Sequence, residues 1–346
     1  MSRRQDPGWR DRAATDLLIG ELDRLDSSGR ALLMDSPLPD LGIALRDRDV
    51  PFTQYHRRAL GNLRASSWPA PGPYGLVTLR LPRAKEELSM GLSAAASVLS
   101  PGGAVLVYGA NDEGIRGAMG TLGETYSSVE ALVVGGRCRV LVGTGAKVEA
   151  GRRFRLEDWK TLLDLGYPGL PPGWVSYPGV FSHGRLDPGT RLLLDSLPPL
   201  PAGGRILDYG CGSGVVGFVV LERGADLALE MLDHDAVALE AARENVPEAR
   251  FHLRDGLPTE NRGSFDAIVS NPPFHRGKAE EPAMIVSLIH RAAPFLAKGG
   301  VLVFVAQRRL PLASPLREQF QEVNVLAEDR IFRVWEGRNP KPARRL

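Results

Sequence analysis

Short apolar runs of strand length alternate with helical stretches along most of the chain, and the series occurs twice. The first series runs through Ala31–Asp35, Gly75–Leu81, a helical stretch Arg83–Leu99, Gly103–Tyr108, and a strand pair near Ala131–Val134 and Cys138–Val142. The second runs through Arg205–Asp208, Asp226–Asp233, Ala249–Leu253, Phe265–Ser270 and Gly300–Val305. Helices at Asp235–Asn245 and Pro282–Ala297 lie between these strands, and Val323–Leu326 with Ile331–Val334 form an antiparallel edge hairpin. β-rich runs alternating with helices predict a mainly parallel, doubly wound α/β sheet in each half. Gly166-Tyr167-Pro168-Gly169-Leu170-Pro171-Pro172-Gly173 breaks any regular element and reads as a linker. The expected organisation is two tandem Rossmann-like domains, residues 1–168 and 169–346. Similar lead-ins, Ser100-Pro101-Gly102-Gly103 and Lys298-Gly299-Gly300, make a tandem duplication plausible.

At 346 residues the chain suits two cores. No stretch has the length of a membrane helix, and the charged start lacks a signal-type apolar core, so the expectation is a cytoplasmic protein with no membrane partner. Cys138 and Cys211 fall in different halves, which gives neither a disulfide framework nor a metal-ligand spacing. A net charge of +2 does not mark a nucleic-acid binder. Locally, Arg330, Arg333, Arg338, Lys341, Arg344 and Arg345 face only Glu336, a basic end suited to phosphate contact.

Candidate chemistry concentrates in the second half. Asp208-Tyr209-Gly210-Cys211-Gly212-Ser213-Gly214 joins its first strand to an apolar helix, and glycines there allow a tight turn and close approach of backbone amides to a ligand. Gly212-Ser213-Gly214-Val215-Val216-Gly217 also matches a dinucleotide fingerprint, so the glycines alone do not choose the cofactor. Asp208 does favour one: a carboxylate ahead of the loop repels a pyrophosphate but suits the ammonium and sulfonium of S-adenosylmethionine. Asp233 closes the next strand, where an acid accepts ribose hydroxyls, and Asp255 follows the third strand, within reach of an adenine amine.

Asn271-Pro272-Pro273-Phe274 ends a buried strand, at the sheet edge where open α/β folds bind ligands. The Asn271 side-chain oxygen and the Pro272 carbonyl suit the two hydrogens of a planar amine, Phe274 suits its ring, and Pro272 and Pro273 stiffen the loop. Such a site aims a nitrogen lone pair at a methyl carbon and needs no dedicated base. The front half has neither motif: Ser36-Pro37-Leu38-Pro39-Asp40 replaces the glycine loop and Arg80-Leu81-Pro82-Arg83 the tetrapeptide. It reads as a degenerate copy kept for substrate binding or shielding. His183, His234, His252, His275 and His290 have no ligand spacing, and no metal is expected.

The series Pro178-Gly179-Val180-Phe181-Ser182, Leu186-Asp187, Leu207–Gly214 and Ser270–His275 resembles the ribosomal RNA guanine-N2 methyltransferases, the small-subunit enzyme and its large-subunit relative. The resemblance implies a catalytic second domain of the class I S-adenosylmethionine-dependent type behind an inactive front copy. It also implies that Asp208, Gly210, Gly212, Gly214, Asp233 and Asp255 bind the donor, that Phe181 to Asp187 lie over its pocket, and that Asn271 to Phe274 hold guanine. The expected partner is ribosomal RNA, a ribosomal subunit or an assembly intermediate, met by a monomer. The tetrapeptide by itself also fits adenine N6 of a tRNA or a protein glutamine N5, and an assembly factor without activity is the alternative of another class.

Overall fold

A computed structural model describes residues 8–25, 29–61, 63–147, 154–257, 262–272 and 281–342. The chain divides into two compact units, Met1–Arg58 with Leu63–Lys160, and Ala59–Asn62 with Thr161–Leu346.

In the first unit, β1 (Ala31–Met34), β2 (Phe52–Tyr55), β3 (Tyr74–Arg80), β4 (Leu99–Ala110), β5 (Tyr126–Gly135) and β6 (Cys138–Ala146) form one sheet in the order β2-β1-β3-β4-β6-β5. The first four strands are parallel, and β6 and β5 add an antiparallel hairpin. Helices α1 (Trp9–Ile19), α2 (Asp40–Arg46), α3 (Lys85–Val98) and α4 (Ile115–Thr125) flank it. The strands are buried on both faces: Leu32, Met34, Val105 and Val107 enter one apolar cluster, while Ala31, Leu33, Leu106 and Tyr108 enter the other. Side chains alternating into two cores are what a doubly wound sheet requires.

The second unit opens with β7 (Thr161–Leu163) and β8 (Trp174–Ser176), which pair antiparallel with Leu162 opposite Val175. Residues 166–173, expected as a linker between domains, therefore lie within this unit as the connection of a small ribbon, and the division falls at Lys160/Thr161 instead of 168/169. After α5 (Pro188–Ser196), strands β9 (Arg205–Tyr209), β10 (Ala228–Asp233), β11 (Arg250–Leu253), β12 (Phe265–Ser270), β13 (Leu296–Gln307), β14 (Phe320–Glu328) and β15 (Phe332–Pro340) build the order β11-β10-β9-β12-β13-β15-β14. Between them run α6 (Val215–Arg223), α7 (Ala236–Asn245), α8 (Glu281–Ala292) and α9 (Ala313–Gln319). Strands β9 to β13 pair in parallel, and β15 with β14 form the expected antiparallel hairpin.

The basic end is not a free tail. Arg333 and Arg338 belong to β15, between β13 and β14, where Arg333 pairs with Glu328 at 2.5 Å and Arg338 with Glu336 at 2.6 Å. Two of the expected phosphate-binding cations are thus committed to carboxylates, Arg333 across to β14 and Arg338 within β15. Arg344 and Arg345 lie outside the described residues.

The two sheets share their irregularities. The pairing β3–β4 slips between Tyr74 and Leu76 as β12–β13 slips between Phe265 and Ala267, and β5–β6 shifts at Ala131/Val133 as β14–β15 shifts at Val325/Ala327. Bulges are conserved within families, so matching positions are what a tandem duplication predicts. Counting along the strands from them, Arg80 occupies the place of Asn271, Leu33 that of Asp208 and His56 that of Asp233.

Candidate active site

Strands β9 and β12 are neighbours from which the chain departs in opposite directions across the sheet. Their carboxyl ends meet at the crevice where α/β sheets take ligands. An open cleft with about 500 Å³ of free space, solvent included, lies there, walled by Gly210, Cys211, Gly212 and Ser213 after β9, Asn271 after β12, Phe181 and Asp187 from the segment leading into α5, and Thr190 in its first turn.

The glycine loop is a structural necessity. Gly210, Gly212 and Gly214 have φ of 76°, 55° and 97°, a left-handed region that side chains rarely adopt. Gly214 opens α6, and a Cβ there would lie 3.1 Å from both Met231 and Val246. Asn245 of α7 fastens this loop to β8: its Nδ2 donates to the carbonyls of Ser213 at 2.9 Å and Val175 at 2.8 Å, while its Oδ1 accepts from the Val175 amide. Trp174 donates from its indole to the Ser213 hydroxyl at 3.1 Å. The ribbon thus forms part of the cavity wall.

Asp208 lies beneath the loop and does not line the cavity among the described residues. Its Oδ2 accepts from the Gly217 amide at 2.9 Å, and its buried Oδ1 has no partner. Burial pushes its pKa up to about 7, with the Gly217 amide opposing and the Asp233 charge adding to the shift. A buried acceptor left open is costly unless a donor fills it, and a carboxylate so placed favours a cation. Asp233, also buried, accepts from the Gly212 amide through Oδ2 and the Asp235 amide through Oδ1, both at 2.9 Å. It holds the loop against the end of β10. Asp255 is exposed in the bend after β11, away from the cavity wall. Cys211 is buried with its thiol pKa raised by burial, which keeps it protonated and inert.

Asn271 is the best-defined side chain of the site. It is 8% exposed, and its Nδ2 donates to Thr190 Oγ1 at 2.7 Å and Asp187 Oδ2 at 3.1 Å. Both partners are acceptors there, so the amide nitrogen points at them and Oδ1 is left buried without a partner. Asp187 does two jobs, because the same Oδ2 also accepts from the Thr190 amide at 2.8 Å as the N-cap of α5, with Pro188 in the first turn. Gly189 leaves room for this, since a Cβ there would come within 3.0 Å of the carboxylate. Pro272 is buried beside Asn271. Pro273, Phe274 and His275 lie outside the described residues. Phe181, an aromatic side chain on the cavity wall, is 38% exposed.

The structure therefore gathers Phe181, Asp187, Gly210, Gly212 and Asn271 around one cavity, with Asp208 and Asp233 behind the loop and Asp255 apart. Thr190, Ser213, Trp174 and Asn245 join the site unannounced. Asp187-Pro188 is a helix-start signal, from which Thr190 at the third helical position was inferable; nothing local in the sequence marks Asn245.

No described helix is long and apolar enough to cross a membrane, and no cluster among the described residues has the composition of a metal site. The profile of the methyltransferase small domain matches residues 173–336, and that of its N-terminal companion domain matches residues 54–161. A structure from T. thermophilus, described as a 16S rRNA N2 G1207 methyltransferase in complex with AdoMet and guanosine, has a TM-score of 0.78 and 24% identity over 97% of this chain and 92% of that one, which establishes a common fold. The ribosomal RNA small subunit methyltransferase C of Shewanella loihica is 32% identical over 78% of this chain and 79% of its own length. With 34% identity to the corresponding protein of Shewanella amazonensis over the same shares of both chains, this chain belongs to the ribosomal RNA small subunit methyltransferase C family.

Proposed function

We propose that the chain transfers a methyl group from S-adenosylmethionine to the exocyclic N2 amine of a guanine in small-subunit ribosomal RNA. The observation that carries this reading is the Asn271 amide, clamped by Thr190 and Asp187 so that Oδ1 is a buried, open acceptor at the ligand-binding edge of the sheet. An amide oxygen held in that way asks for an N–H. The guanine amine brings two, one for Asn271 Oδ1 and one for the Pro272 carbonyl. Held there, the nitrogen turns its lone pair toward the donor side and loses conjugation with the ring. The donor, when bound, would supply an electrophilic methyl group on a sulfonium, the S–C electron pair returning to sulfur as a neutral thioether leaves. The new N–C bond makes the amine proton acidic, so it leaves to water and no side chain is needed as base.

Donor binding falls to the glycine loop, Asp208 and Asp233. The open Asp208 Oδ1 and the close backbone at Gly210 and Gly212 fit a cationic ligand with a compact polar head. Asp187 acts through Asn271 and Phe181 closes the wall; Asp255, in the bend after β11, is assigned the adenine edge by resemblance alone. Pro273 and Phe274 complete the guanine-holding loop, Phe274 stacking on the base. The first unit is the non-catalytic copy: Arg80 stands at the place of Asn271, with its guanidinium held at 2.8 Å by Asp11 and 2.7 Å by Glu113, and Leu33 replaces Asp208. We further propose a cytoplasmic monomer acting on the ribosomal subunit or its assembly intermediate.

Incubating the purified chain with labelled S-adenosylmethionine and small-subunit RNA or subunits, then digesting to nucleosides, tests the activity. N2-methylguanosine is the expected product; label confined to N6-methyladenosine or to protein overturns the reading.

A further inference from the structure

We propose that the first unit holds its own guanine-binding pocket, built on Asp35 and Trp68. Strands β1 and β3 are the pair at which the first sheet changes direction, and at their carboxyl ends lies an open cleft with about 350 Å³ of free space, solvent included. It is lined by Met34 at the end of β1 and Asp35 after it, Tyr55 at the end of β2 and Arg57 after it, Trp68, and Glu87 at the start of α3. Degeneration of the methyl-donor features has left the crevice open, with its own polar groups.

The charges inside are not equivalent. Glu87 is matched by two guanidiniums, Arg57 at 3.2 Å and Arg58 at 2.9 Å. Asp35 is held differently: its Oδ1 accepts from the Arg57 backbone amide at 2.8 Å, and its Oδ2 accepts no hydrogen bond from any described residue. Its backbone has φ 52°, a left-handed turn conformation that aspartate adopts more readily than most side chains. Burial raises its pKa to about 6, so the carboxylate is still ionised near neutral pH.

A carboxylate facing a cavity selects a ligand with adjacent N–H donors. Among the bases only guanine has two on one edge, N1–H beside N2–H. Adenine and cytosine set an acceptor next to their amine, and uracil flanks its single N–H with carbonyls. Trp68 supplies the apolar face on which a displaced base stacks. That the guanine belongs to the RNA substrate rests on the proposed activity; the pocket chemistry does not.

Irradiating the full chain with 8-azidoguanosine or 8-azidoadenosine and mapping the labelled peptides tests this. Guanosine-selective labelling within residues 63–94 is expected, falling about tenfold in Asp35→Asn and persisting in Asn271→Ala. Absence of label in the first unit, equal labelling by the adenosine probe, or an unchanged Asp35→Asn overturns the proposal. If Asp35→Asn does not fold, Trp68→Leu is read by the same criteria. With RNA as substrate, a raised KM for RNA at unchanged kcat in Asp35→Asn identifies RNA as the source of the base, and an unchanged KM identifies a free guanine nucleotide. If wild-type chain methylates no RNA yet labels as expected, the proposed activity fails and the pocket stands.

Discussion

Thr190 Oγ1 accepts a hydrogen bond from Asn271 Nδ2 at 2.7 Å, across a sequence separation of 81 residues. This contact decides which end of the amide faces the cavity. An asparagine has one accepting and one donating end, and only the former suits an amine.

Thr190→Val keeps the shape of the side chain and removes the acceptor. A lost hydrogen bond of about 1 kcal/mol leaves Asn271 free to rotate, and kcat is expected to fall roughly tenfold with donor affinity unchanged. Single-turnover methylation, with calorimetric titration of the donor, measures both. Donor affinity falling in parallel with kcat would mean that Thr190 supports the cavity as a whole.

Asn271→Ala removes the open acceptor itself. Loss of one preorganised polar contact to the reacting group lowers kcat by about 10²–10³-fold. Binding of S-adenosylmethionine is expected to survive, since Asn271 lies on the β12 side of the cavity and the glycine loop on the β9 side. Asn271→Asp has similar size but brings a second carboxylate against Asp187, and is expected to lower thermal stability as well as activity.

On the proposed reading of Asp208 as a donor-binding residue, binding of the donor is expected to depend on pH. Its carboxyl in the free protein has a pKa raised to about 7 by burial. Below that pH the protonated form no longer attracts an ammonium, so affinity for the donor should weaken as pH falls from about 8 to about 6. Stability moves the other way. The folded chain binds a proton that the unfolded chain has already lost between about pH 4 and pH 7, so the Asp208 contribution declines as pH rises through that window. Asp208→Asn should flatten both profiles, as read by titration calorimetry and by melting temperature across pH.

Gly214→Ala and Gly210→Ala separate strain from crowding. Both residues have positive φ, but a Cβ meets Met231 and Val246 only at Gly214, while at Gly210 nothing lies within 4 Å. Gly210→Ala is expected to cost roughly 1–2 kcal/mol, and Gly214→Ala more, with a visible drop in melting temperature. Equal losses would mean that the loop relaxes around the added methyl.

Much of this was legible in sequence where the physics is local. Strands buried on both faces appear as apolar runs, so β1, β3, β9 and β12 were expected close to their observed limits, while β13 begins four residues before the expected Gly300, within the stretch expected as helix. The glycine loop, whose residues need left-handed backbone, announced itself in the same way. What stayed hidden depends on distant partners. The connection between β7 and β8, residues 166–173, is rich in turn residues and so reads as a linker; Asn245 of a distant helix holds the ribbon that it joins. The arginines near the end looked like a basic tail because Glu328 lies in a neighbouring strand. Asp187 was expected over the donor pocket, and its contact with Asn271, 84 residues away, came only from the fold.

The register match between the units sets a barrier to reversal. Leu33 stands where Asp208 does, and Arg80, paired with Asp11 and Glu113, stands where Asn271 does. Leu33→Asp would bury a carboxylate in an apolar cluster, and Arg80→Asn would strand two acids, so each single step costs stability before any turnover is gained. On the proposed reading of the first unit as the non-catalytic copy, any return to chemistry one residue at a time passes through destabilised intermediates.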